Sequence, residues 1–129
     1  VIDAQRVDFV CVPTRDRERA ARFYGETLGL ERNPNSSEQW VEFETGNLTL
    51  ALLPHEFMGT DEFTPNSGPI ALRVADVGEA RRKLEDAGVQ FKMDTVDSGV
   101  CHIAGFADPD GNRLMLHSRY APYADGTTP

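Results

Sequence analysis

Three features of the 129-residue chain predict an α+β fold built from two tandem βαβββ modules. Each half opens on an apolar strand that leads into an amphipathic helix ending at a glycine, and the two glycines, Gly29 and Gly88, lie 59 residues apart. After each helix the apolar spacing changes from the helical period to two-residue alternation. The final strands flank "DPDGN", Asp108 to Asn112, a hairpin signal in which proline presets φ and glycine accepts positive φ.

The first module spans about residues 6–54. Val7 to Val12 reads as its opening strand, and Asp16 as the helix N-cap. Ala20, Ala21, Tyr24 and Leu28 recur at helical spacing, and Gly29 stands where a C-terminal glycine belongs. A short strand near Leu30 to Asn33 follows. Gln39 to Glu44 and Leu48 to Leu53 then form a hairpin turned by "TGN". Alternation puts Trp40, Glu42 and Glu44 on one face of that strand and Val41 and Phe43 on the other.

Residues 55–68 form a connector containing Gly59, Pro65, Asn66, Ser67 and Gly68, the composition of a loop. Its apolar Phe57, Met58 and Phe63 imply that it packs as a flap or crosses a dimer contact. His55 within it is expected to be solvated.

The second module, about residues 69–118, repeats the pattern. Ile70 to Val74 is a strand. Asp76 and Glu79 make a D-x-x-E capping box. Val77, Ala80, Leu84 and Ala87 form one helical stripe ending at Gly88. Val89 to Asp94, Val100 to Ala107 and Arg113 to Ser118 are the remaining strands. Residues 119–129 are a tail, expected to fray from Ala121 onward.

Composition narrows the function. The formal charge is −8, from 21 acidic and 13 basic residues, a balance that repels phosphate backbones and argues against nucleic-acid binding. No apolar run approaches the roughly 20 residues of a membrane span. The segment from Val1 to Val7 is polar and lacks the apolar core of a signal peptide, so the expectation is a soluble cytoplasmic protein. Cys11 and Cys101 stand in no CxxC or zinc-type spacing, and two thiols rather than a disulfide are expected in a reducing compartment.

Three segments in order resemble the vicinal oxygen chelate superfamily of glyoxalases, bleomycin-resistance proteins and extradiol dioxygenases. "VDFVCVPTRDRERAARFYGETLGLE" resembles its first strand and helix, "IALRVADVGEARRKLEDAGV" the same part of the second module, and "FADPDGNRLMLHS" its closing hairpin. The resemblance covers about residues 6–118. It implies two curved sheets forming a cup around a small molecule, and a homodimer. In the metalloenzymes it also implies four ligands, on the first and fourth strands of each module, holding a divalent metal. Those positions fall here at Phe9, at Ala51 (or Leu50 with a one-residue slip), at Pro69 and at Met115. None offers the nitrogen or hard oxygen donor such a cation needs. Among their immediate neighbours only Asp8 carries a donor. A member lacking the usual metal and cofactor is therefore expected.

Alternation from the same positions puts Phe9, Cys11, Arg73, Met115 and His117 on the ligand face, an apolar surface with a few polar groups. His117 is a candidate base or hydrogen-bond donor, or else a strand-end histidine bonded to a backbone carbonyl. Arg73 is a candidate carboxylate or enolate holder, or else half of an ion pair. Cys101 and His102 are adjacent and must face opposite ways. A five-residue hairpin loop turns Cys101 and Ile103 inward, whereas a four-residue loop turns His102 inward, where it could join His117 in a displaced metal site. Trp40 is placed to stack on a planar ligand, or else to cover the core or a dimer interface.

The leading expectation is a metal-free protein that binds a small organic molecule. The alternative is a lyase, isomerase or dioxygenase-type enzyme using His117 and Arg73 directly, or a metal displaced to His102 and His117.

Overall fold

A computed structural model describes all 129 residues, Val1–Pro129. It divides into two compact units, Val1–Pro65 and Asn66–Pro129, each holding one four-stranded mixed sheet and one principal helix. The fold is α+β with tandem modules.

In the first unit, β1 (Phe9–Thr14) leads into α1 (Arg17–Arg22). The Asp16 carboxylate accepts from the Arg19 amide at 3.1 Å and caps the helix. From Phe23 to Thr27 the helix widens to π geometry, with the Leu28 amide donating to the Phe23 carbonyl at 2.9 Å. Phe23 and Tyr24 are both buried within this wide turn. Gly29, at φ +74°, then reverses the chain. β2 (Glu31–Arg32), β3 (Val41–Glu44) and β4 (Thr49–Pro54) complete the sheet in the order β1-β4-β3-β2, with β1 and β4 parallel. β3 begins at Val41 rather than Gln39, because Ser37 and Trp40 close a turn on each other through backbone and hydroxyl bonds.

The connector is not loop throughout. His55–Met58 forms a 3-10 turn closed by Gly59 at φ +76°. The Phe57 ring meets Trp40, and the Phe63 ring meets His55 edge-on at 5.7 Å and lies under the Arg15 guanidinium. His55 is consequently largely buried rather than solvated: its side chain is 17% exposed, and its Nδ1 has no hydrogen-bond partner.

In the second unit, β5 (Ile70–Arg73) leads into α2 (Val77–Asp86), capped by the Asp76 carboxylate on the Glu79 amide at 2.8 Å. The anticipated strand over Val89 to Asp94 is absent. Phe91 packs on Phe106, while Arg81 lies over Phe91 and donates to the Met93 carbonyl and the Thr95 hydroxyl. The α2 side chain thus takes up the Met93 carbonyl, a group that a strand partner would have used. Pairing starts only at β6 (Val96–Asp97). β7 (Cys101–Ala107) and β8 (Arg113–Arg119) form the closing hairpin, and the sheet order is β5-β8-β7-β6.

The tail past Ala121 turns back on itself rather than fraying. The Tyr123 amide donates to the Thr127 carbonyl, and the Arg119 side chain donates to the carbonyls of Ala121 and Pro122.

The core of each unit lies between helix and sheet. In the first, Tyr24 packs on Phe43, and Val12, Leu50, Leu52 and Val41 are buried with them. In the second, Val77 and Leu84 of α2 are buried with Ala104, Phe106, Leu114 and Leu116. The opposite, helix-free face of each sheet is where function can reside.

Candidate ligand-binding faces

Strand register assigns each candidate residue to a face. In the first sheet Phe43 pairs with Leu50, and Val10 and Val12 pair with Leu50 and Leu52; all five look toward the helix. The helix-free face therefore carries Phe9, Cys11 and Pro13 of β1, Thr49, Ala51 and Leu53 of β4, and Glu42 and Glu44 of β3. The two readings of the fourth-strand position are resolved: Ala51 shares the face of Phe9 and Cys11, and Leu50 belongs to the core.

Trp40 extends this face. Its ring makes edge-to-face contacts with Phe9 at 5.7 Å and Phe57 at 6.4 Å. Its indole Nε1 donates to Glu42, in a short hydrogen bond. Asn33 Nδ2 bridges Glu42 and Glu44 at 3.0 and 3.2 Å, and the Thr49 hydroxyl donates to Glu44 at 2.8 Å. These neutral donors hold both carboxylates in place. Sequence reasoning did not single out Asn33 or Thr49 because their role depends on strand pairing. Burial pushes the Cys11 thiol above its ordinary range, so it stays protonated at neutral pH.

In the second sheet, the hairpin loop of Asp108–Asn112 has five residues, and Gly105 pairs with Met115. Ile103 pairs with His117, and Ala71 and Arg73 of β5 pair with Met115 and His117. Arg73, Met115, His117, Ile103 and Cys101 therefore share the helix-free face. His102 pairs with Ser118 and faces the other way. There it packs on the Tyr120 ring at 5.0 Å and stands 3.4 Å from Asp97. This corrects two expectations: His102 does not join the ligand face, and it cannot share a site with His117. Cys101 is buried at the far end of the strand, with its Sγ 3.0 Å from the Ser98 hydroxyl. Neither cysteine is in a disulfide.

Beside these residues a shallow groove of about 150 Å³ runs along Met93, Val96, Ile103 and Gly105. Neither Arg73 nor the His117 ring makes a hydrogen bond or ion pair, so the ion-pair alternative for Arg73 is not realised. Asp97 is held below the usual carboxylate range, chiefly by the Gly99 amide and then by the Tyr120 hydroxyl.

The "DPDGN" motif is structural. The Asp108 carboxylate accepts from the amides of Asp110 and Asn112, both at 2.9 Å, and from Asn112 Nδ2 at 2.8 Å. Asn112 Oδ1 accepts from the Asn66 amide at 2.8 Å, tying the start of the second unit to its hairpin.

The family model of the Glyoxalase/Bleomycin resistance protein/Dioxygenase superfamily matches residues 6–116. The chain belongs to that superfamily. No curated protein matches it. Among solved structures, it is similar to a superfamily member from Sphaerobacter thermophilus DSM 20745 at 26% identity and TM-score 0.72, covering 88% of this chain and 97% of that one. It is also similar to TnmS3, an antibiotic binding protein from Streptomyces sp. CB03234, at 26% identity and TM-score 0.74, covering 92% and 99%. A lactoylglutathione lyase from Agrobacterium tumefaciens, at 18% identity, TM-score 0.67 and coverage of 88% and 93%, shares the fold.

The residues at the superfamily's metal positions do not fit a metal. Phe9 and Ala51 lie on the helix-free face of the first sheet, and Met115 on that of the second with Pro69 just before β5. No three His, Cys, Asp or Glu side chains stand together as a ligand set. Asp8 is turned to Arg6 at 2.8 Å. No helix is long and apolar enough to cross a membrane.

Proposed function

We propose that this superfamily member binds a small, largely apolar organic molecule on a helix-free sheet face, without the metal its catalytic relatives employ. The observation that carries the reading is the aromatic set Phe9, Trp40 and Phe57, flanked by carboxylates already held by Asn33 and Thr49. Such a surface offers ring edges and faces to a planar molecule. The donor-poor metal positions and the likeness to an antibiotic binding protein support the same reading. A homodimer in solution belongs to this proposal and is read by sedimentation equilibrium.

Trp40 is the only tryptophan, so its fluorescence reports on this face alone. Titration with a panel of planar aromatic compounds is expected to give a saturable change for at least one. Phe9→Ala should weaken that compound's binding about tenfold, the loss of one aromatic contact and its buried area. A flat response across the panel, with calorimetry equally silent, would sink the reading.

A second reading, catalysis by Arg73 and His117, is favoured by one fact: the two are register partners on neighbouring strands of the same face. Turnover of any ligand found, abolished by His117→Ala with binding retained, would establish it.

A further inference from the structure

On the second sheet, Arg73 of β5 and His117 of β8 are paired across adjacent parallel strands. Strands so paired lie about 4.8 Å apart, so one small anion can touch both side chains. Arg73 is exposed and His117 half-exposed, and neither head group is engaged by any acid. This is unusual in a chain with eight more acidic than basic residues.

The remaining groups on this face decide what the pair can recognise. β5, β7 and β8 put no carboxylate on it. β5 adds Ala71, β7 adds Ile103 and Cys101, and β8 adds Met115, Arg113 and Arg119. Arg119 is committed to the carbonyls of Ala121 and Pro122 and to the Tyr123 ring. The Arg113 backbone stands four residues from His117, roughly 13 Å along the strand, and its guanidinium reaches back to Gly105 rather than to His117. Asp97 of the neighbouring strand β6 pairs with His102 on the other face, whereas Asp94 and Lys92 line the groove along Val96, Ile103 and Gly105 together with Arg113. Directly beside Arg73 and His117 lie Ala71, Met115 and Ile103, an apolar floor.

We infer that Arg73 and His117 form a carboxylate-binding subsite, and that the molecule bound on this face is an organic acid whose apolar body lies over Ala71, Ile103 and Met115. The guanidinium supplies a planar fork for the two carboxylate oxygens, and the imidazole supplies a further N–H. The inference rests on the proposed function and adds to it the chemical class of the ligand.

The test compares 2-naphthoate with its neutral isostere 2-naphthamide, mapped by amide chemical-shift changes on the full-length protein. Naphthoate is expected to bind at least about tenfold tighter than the amide, shifting Arg73, Met115 and His117, as a charge-assisted pair implies. Arg73→Gln should remove that preference and His117→Gln should reduce it. Arg113→Gln should leave it unchanged. Equal binding of acid and amide would overturn the subsite while leaving small-molecule binding intact. Loss of the preference in Arg113→Gln to the same degree would also overturn it, by showing a diffuse positive field. If neither compound shifts any amide at millimolar concentration, the subsite falls, while the small-molecule reading stands or falls on the Trp40 titration.

Discussion

Burial leaves Cys11 a protonated thiol, a poor nucleophile, on the face where a reactive cysteine would have suggested covalent chemistry. Iodoacetamide should therefore modify it more slowly in the native protein than in the unfolded chain at neutral pH. Equal rates by mass spectrometry would contradict this. Asp97 behaves differently. Its carboxylate is stabilised by the Gly99 amide and the Tyr120 hydroxyl, which lower its native pKa below the unfolded value. The stability it contributes is present above the unfolded value and is lost as pH falls through the depressed native one. The melting temperatures of the wild type and Asp97→Asn should accordingly converge as the solution is acidified below the ordinary carboxylate range. A gap that stays constant through that range would show that Asp97 titrates alike in both states.

The elements that obeyed the sequence reading are those made by contacts a few residues long. Asp16 and Asp76 cap their helices through amides three residues on, and Gly29 and Gly88 reverse the chain at positive φ. Asp76→Ala should cost about 1 kcal/mol, the usual worth of an N-cap, in a denaturant melt. The Asp108–Asn112 loop holds more. Asp108→Ala strands two buried amides and the Asn112 side chain, and should cost about 3 kcal/mol without changing any group on the ligand faces. A melt unchanged in that variant would mean that the motif is not the clamp described. One departure from the reading arose where a side chain from elsewhere captured the backbone. Arg81 reaches across from α2 to the Met93 carbonyl, no strand forms over Val89 to Asp94, and pairing starts only at Val96–Asp97.

For the whole molecule, the donor inventory leads to a thermodynamic expectation. A ligand that binds only the native state raises its melting temperature by mass action. Zinc, manganese and nickel ions, added after chelator treatment, should shift the midpoint by less than about 1 °C, because no ligand set awaits them. A saturable rise with any of the three would locate a site that these side chains do not suggest.

The sequence by itself determined the duplicated modules, the caps, the closing hairpin and the non-ligating residues at the superfamily's metal positions. All of these follow from identity and short spacing along the chain. Only the tertiary structure decided which of two adjacent residues, Cys101 or His102, shares a face with His117. A one-residue change in hairpin pairing reverses every side chain of a strand, and both loop lengths were compatible with the same letters. Tertiary packing likewise buried His55 against Phe63, gave Asn33 and Thr49 their carboxylate partners, and left Arg73 beside His117 without an acid. Each of these depends on residues brought together by sheet pairing and connector packing, and local spacing carries no record of them.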